Sequence, residues 1–156
     1  MRAPAAFNLK CFFVGWISAW FIAIYAPSAM IAVAGLSPLA QGRSLPGATF
    51  AIADEVAPAA KLAFAALLAL MLLLSRQFAW ARATRLIVET LCAPAAIFLV
   101  LALLPESWSR GFGVGLAGDR FAPAPLAIYL AGALLAGLAF ALSEARCRQR
   151  RVTMAG

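Results

Sequence analysis

The chain predicts an all-α integral membrane protein, a four-transmembrane-helix bundle in an N-in/C-in arrangement. Three observations predict it. First, residues 11–35, 56–75, 86–104 and 122–142 are almost free of charge. Each approaches the roughly 20 residues that a helix needs to cross about 30 Å of hydrocarbon. Second, 65% of the 156 residues are apolar and only 12% are charged. A soluble domain carries about 25% charged residues, so this composition belongs to another solvent. Third, nine of the 13 Lys and Arg residues fall on one side when the N-terminus is placed inside: Arg2, Lys10, Arg76, Arg82, Arg85, Arg146, Arg148, Arg150 and Arg151. Arg43, Lys61, Arg110 and Arg120 fall outside. That asymmetry is what the positive-inside rule demands of a bacterial inner-membrane protein.

The first span follows a short basic tail. Ala32-Val33-Ala34 before Gly35 resembles a signal-peptide cleavage site. The apolar run before it is longer than the roughly 7–15 residues of a signal core, and it holds Trp16, Trp20 and Tyr25. We therefore expect the span to be retained, with a kink at Pro27.

The outer connection 36–55 contains Pro38, Gly42, Pro46 and Gly47 as breakers, and its apolar tail 48–53 suits a membrane surface or a re-entrant piece. Asp54 is the expected N-cap of the second helix, with Pro58 in its first turn.

Residues 76–85 form the expected cytoplasmic hairpin, with Trp80 as interfacial anchor. The third span contains Pro94. The outer loop 105–121 offers Trp108 and Phe112 as anchors, and the fourth span runs into the basic tail 143–156, which faces anionic lipid headgroups. Everything outside the spans is too short to bury a second core, so 1–156 is one membrane domain.

The net charge of +7 is a topology signal. Nucleic-acid binding needs a basic face with interleaved aromatics, and the sequence has none. It has no histidine, which removes the usual haem ligand and the commonest zinc or copper ligand. No cofactor and no metal is expected. Cys11, Cys92 and Cys147 lack CxxC spacing, and two of them fall on the reducing side, so they are read as three structural thiols. Gly113, Gly115 and Gly118 match a dinucleotide fingerprint formally, but the short outer loop lacks the strand and helix that such a site needs. Asp54, Glu55, Lys61, Asp119 and Arg120 flank adjacent helix ends and read as solvated caps. Serines without a histidine to activate them make no nucleophile, so no catalytic residue is expected.

Glu89 stands out. It lies in the third span, four residues after Arg85, and an ionisable group there is expensive enough to be a functional candidate by default. Its plainer role is an interfacial ion pair with Arg85 on one helix face. Ala133, Gly137 and Ala141 recur at helix-packing spacing, with Gly132 and Ala136 beside them, and suit close contact inside the bundle. The expected function is a non-catalytic accessory or assembly subunit, whose partners are the lipid bilayer and other membrane subunits or further copies of itself. The alternative is a small oligomeric transporter or channel unit that uses Glu89 as a protonatable carboxylate.

Overall fold

The computed structural model describes residues 8–78, 80–103 and 123–154. Their regular elements are α1 (Leu9–Val33), a 3-10 turn (Pro38–Ala40), α2 (Leu45–Glu55), α3 (Pro58–Ser75), α4 (Arg82–Leu103) and α5 (Pro123–Met154). The four helical stretches Leu9–Val33, Pro58–Ser75, Ala83–Leu103 and Leu126–Cys147 are long and apolar enough to cross a membrane. The expected outer loop 105–121, with Trp108, Phe112 and the glycine motif, lies outside the described residues.

Local chemistry explains where these helices begin and end. Asn8 caps α1, its Oδ1 accepting from the backbone N–H groups of Lys10 and Cys11. At the other end Gly35 takes φ 64°. Its N–H donates to the Ala32 carbonyl and that of Leu36 to Ile31. This closes the helix with the paired bonds that a left-handed glycine permits. Beyond α3, the Trp80 indole donates to the Ser75 carbonyl at 2.9 Å, one of the last carbonyls of the helix.

Three expectations need correction. The connection 36–55 is not a loop with an apolar tail, because Leu45–Glu55 is an 11-residue helix. Ser44 caps it by accepting from Gly47, and Pro46 sits in its first turn, where a missing N–H has no partner to lose. Two residues that read as breakers therefore start a helix. Asp54 is not the N-cap of the second span. It lies in the last turn of α2, and α3 begins after Ala57 with no side-chain cap, its first residue being Pro58. Finally, the tail 143–156 is not separate from the fourth span. The helix continues to Met154, through a run of Ala, Arg, Glu and Gln that favours helix.

The four long helices close into a ring: α1 lies along α5, α5 along α4, α4 along α3, and α3 touches α1 more sparsely. Helix α2 packs on the outside of α1. There Tyr25 stacks on Phe21 at 4.0 Å and meets the edge of Phe50 at 5.3 Å. The centre is built from Phe64, Leu68, Leu72, Ile97, Val100 and Phe140, separated by fully buried alanines such as Ala19, Ala23, Ala93 and Ala136. The small residues let the helix backbones approach to close van der Waals contact.

Two glycines of α5 meet α1 and α4 at their internal prolines, one at Pro27 itself and one at Thr90, four residues before Pro94. A Cβ on Gly132 would stand 2.6 Å from the Pro27 ring. One on Gly137 would stand 2.1 Å from the carbonyl oxygen of Thr90. That carbonyl is the one deprived of its helical donor by Pro94, four residues on. The proline thus releases an acceptor, and the glycine makes room for it, with Cα–H groups as the neighbours it meets.

Candidate functional site

Polar side chains join neighbouring helices in two places. The first is the seam between helices. Trp16 and Trp20, one turn apart on α1, donate their indole N–H groups to the carbonyls of Ala65 and Lys61 on α3, each at 3.0 Å. The two rings fill the gap where α1 and α3 stand apart. Each carbonyl also serves the α3 ladder, so the indole is a second donor to it. Trp16→Phe or Trp20→Phe should therefore lower bundle stability by only about 0.5–1 kcal/mol. Thermal denaturation in detergent, followed by helical ellipticity, measures this; a loss several times larger would mean that the indoles hold the fold.

The second place is the end of the bundle where α1 starts and α5 carries its arginines. Arg76, just past α3, pairs with Glu144 of α5; their side chains are only 12% and 3% exposed. The Arg76 guanidinium lies 4.9 Å from the Phe12 ring centroid and 5.8 Å from that of Phe140. The two rings meet edge to face. A carboxylate on one side and π-faces on the other replace the water that the cation loses. One turn further out, Cys11 and Cys147 form a disulfide with their Cα atoms 6.0 Å apart. This corrects the reading of three separate thiols. Spacing along the chain carried no hint of it, since the pair is separated by 136 residues. Cys92 remains a buried free thiol.

Glu89 is buried at 4% exposure, and the next residue, Thr90, makes the contact with Gly137. Among the described residues the ion pair joins Arg76 to Glu144, and Arg85 is not joined to Glu89. Glu89 is turned inward, whereas Arg85 is half-exposed. Ala133, Gly137 and Ala141 are all buried. Asp54 and Glu55 are exposed at the end of α2. Lys61 is half-buried, and their suggested partners Asp119 and Arg120 lie outside the described residues. No group of three metal-ligating side chains occurs among the described residues.

From the sequence, Arg76 falls in the hairpin 76–85 and Glu144 in the tail 143–156, and neither is given a partner. A signal for Glu144 was nonetheless present. Positions 133, 136, 137, 140, 141 and 144 follow one helix face, and the first five are small or aromatic and buried. The same spacing recurs in α4 at 89, 92, 93, 96, 97 and 100, all buried. Each stripe ends in a glutamate toward the arginine-rich end. Extending the apolar period past the last apolar residue would have turned both inward. No known protein family, curated protein sequence or solved structure matches this chain.

Proposed function

We propose that the protein is a multi-pass subunit of a bacterial inner membrane, with both termini cytoplasmic, acting as a rigid non-catalytic scaffold in an assembly of membrane proteins. The observation that carries this reading is the use made of the polar groups within the bundle. Arg76, Glu144, Trp16 and Trp20 each bind a neighbouring helix. Helices fastened this way resist the rocking and gating that transport requires. The lipid-facing residues, including Phe13, Ile17, Leu70, Leu91 and Leu135, supply apolar surface for bilayer or neighbouring subunits. The charge asymmetry supports the orientation.

Extraction in a mild detergent tests it. Stoichiometric co-migration with another membrane protein, or as a defined homo-oligomer, is the expected result; a monodisperse monomer that retains no partner counts against the scaffold. Reporter fusions after residues 45, 80, 115 and 156 should read outside, inside, outside, inside.

A second reading has its own support. Glu89 is buried in α4 about one turn before its internal Pro94, and a buried carboxylate within an apolar helix is the kind of group that proton-coupled carriers titrate. In a transporter, Glu89→Gln should reduce proton-driven flux by more than tenfold while the protein inserts normally. Unchanged behaviour of the Gln variant in assembly and growth leaves the scaffold reading standing.

A further inference from the structure

The disulfide lies at the end of the bundle where its existence is least expected. Cys11 is in the first turn of α1, and Cys147 is among the arginines of α5. Charge asymmetry assigns that end to the cytoplasm, where a small-thiol pool keeps most cysteines reduced, and a disulfide that persists there is a transient or sensing one. We propose that the Cys11–Cys147 bond is a reversible redox staple that fastens α1 to α5 when the cytoplasmic thiol–disulfide balance turns oxidising. The inference rests on the orientation given above and goes beyond the scaffold role.

Two structural facts support reversibility. The sulfurs differ in access: the Cys11 residue is 5% exposed and Cys147 is half-exposed, so an attacking thiolate reaches Cys147 first. In addition, other contacts hold the same helix ends together. Phe12 meets Phe140 edge to face at 5.8 Å, the guanidinium of Arg76 that pairs with Glu144 also lies 4.9 Å from the Phe12 ring, and a Cβ on Gly15 would stand 2.9 Å from the Ser143 hydroxyl. With these in place, opening the bond leaves the two thiols within closing reach.

The chemistry balances with a small thiol of the glutathione class as reductant. Its thiolate attacks the Cys147 sulfur, and the electron pair of the broken bond leaves on Cys11, which takes up a proton. A second thiolate then attacks the small-thiol sulfur of the mixed disulfide and releases Cys147, which is protonated in turn. Two small thiols have become one small disulfide, and the protein has gained two electrons and two protons. Closure is the reverse, with the small disulfide as oxidant.

The full-length protein in bacterial cells provides the test. Cells are quenched in acid, and all thiols are counted by a bulky maleimide under denaturing conditions. The chain has three cysteines, so the open form takes three adducts and the stapled form one, on Cys92. The expected result is three adducts in resting cells, one after a thiol oxidant, and three again after recovery. A membrane-impermeant phosphine should reopen the staple in inverted vesicles but not in intact spheroplasts. Under a mildly oxidising glutathione buffer, Cys11→Ser should acquire a glutathione adduct at least several-fold faster than Cys147→Ser. Three adducts before and after oxidation, with fusion reporters still in the stated order, overturn the staple and leave the orientation intact. One adduct at rest that only inverted vesicles can reduce indicates a permanent bond and also overturns it. One adduct at rest that is reduced on intact spheroplasts places this end outside, and the orientation and the switch fall together.

Discussion

Gly137→Ala is expected to destabilise the bundle by about 3 kcal/mol or more, at the upper end of what overpacking one methyl produces. The new Cβ would stand 2.1 Å from the Thr90 carbonyl oxygen and 2.8 Å from its carbon. Those atoms are backbone, so no rotamer change relieves the clash. The helices must separate, and the neighbouring alanines Ala93, Ala133 and Ala136, all fully buried, lose contact with them. For a chain of this size the thermal midpoint in mild detergent should fall by roughly 6–12 °C. Leu138→Ala, at an exposed position beside it, is the control and should shift the midpoint by a small fraction of that. The role of Pro94 can be read from a double-mutant cycle. Pro94→Ala restores the N–H that Thr90 lacks, draws that carbonyl back into the α4 ladder and so should soften the penalty of Gly137→Ala. A midpoint for Gly137→Ala within about 2 °C of the wild type would show that α4 and α5 are not held this closely.

Glu144→Ala should cost about 3–5 kcal/mol, because it leaves the Arg76 cation largely buried without its carboxylate. Arg76→Ala should be comparably damaging for the converse reason, with Glu144 almost fully enclosed. The Phe12 and Phe140 rings offset part of the first loss, since they continue to face the guanidinium. Replacing both residues with apolar ones of similar size, Arg76→Met with Glu144→Leu, should recover most of the stability of either single change. Chemical denaturation in mixed micelles compares the wild type, the two single variants and the double variant. If the singles each lose less than about 1 kcal/mol, the pair is behaving as an exposed surface contact and not as a bolt.

Much of the architecture is legible from polarity alone. Runs of apolar residues of hydrocarbon length announce the long helices, because a backbone in such runs satisfies its amides only within the helix. The small-residue run Ala133, Gly137 and Ala141 could be seen for the same reason: close approach needs missing side-chain volume. Helix α2 was hidden by the very residues that initiate it. Pro46 and Gly47 interrupt a helix when they are internal, but Pro46 starts one when Ser44 supplies the cap. The α5 extension was obscured by charge, since the arginines that mark a membrane boundary are also good helix formers.

The candidate sites divide differently. Glu89 was visible as an ionisable group in an apolar run, but its burial was not, because that depends on which face of α4 packs against α5. Arg76 and Glu144 are 68 residues apart and Cys11 and Cys147 are 136 apart, so no local pattern couples either pair.

Composition determined by itself how many long apolar helices the chain makes, since that follows from the solvent each segment suits. Only the tertiary structure decided that Cys11 of α1 meets Cys147 of α5, that Gly137 receives the carbonyl released by Pro94, and that Arg76 leaves the surface for Glu144. Each of these is a contact between distant segments, and its energy depends on distances of a few ångströms that exist only after the helices have packed.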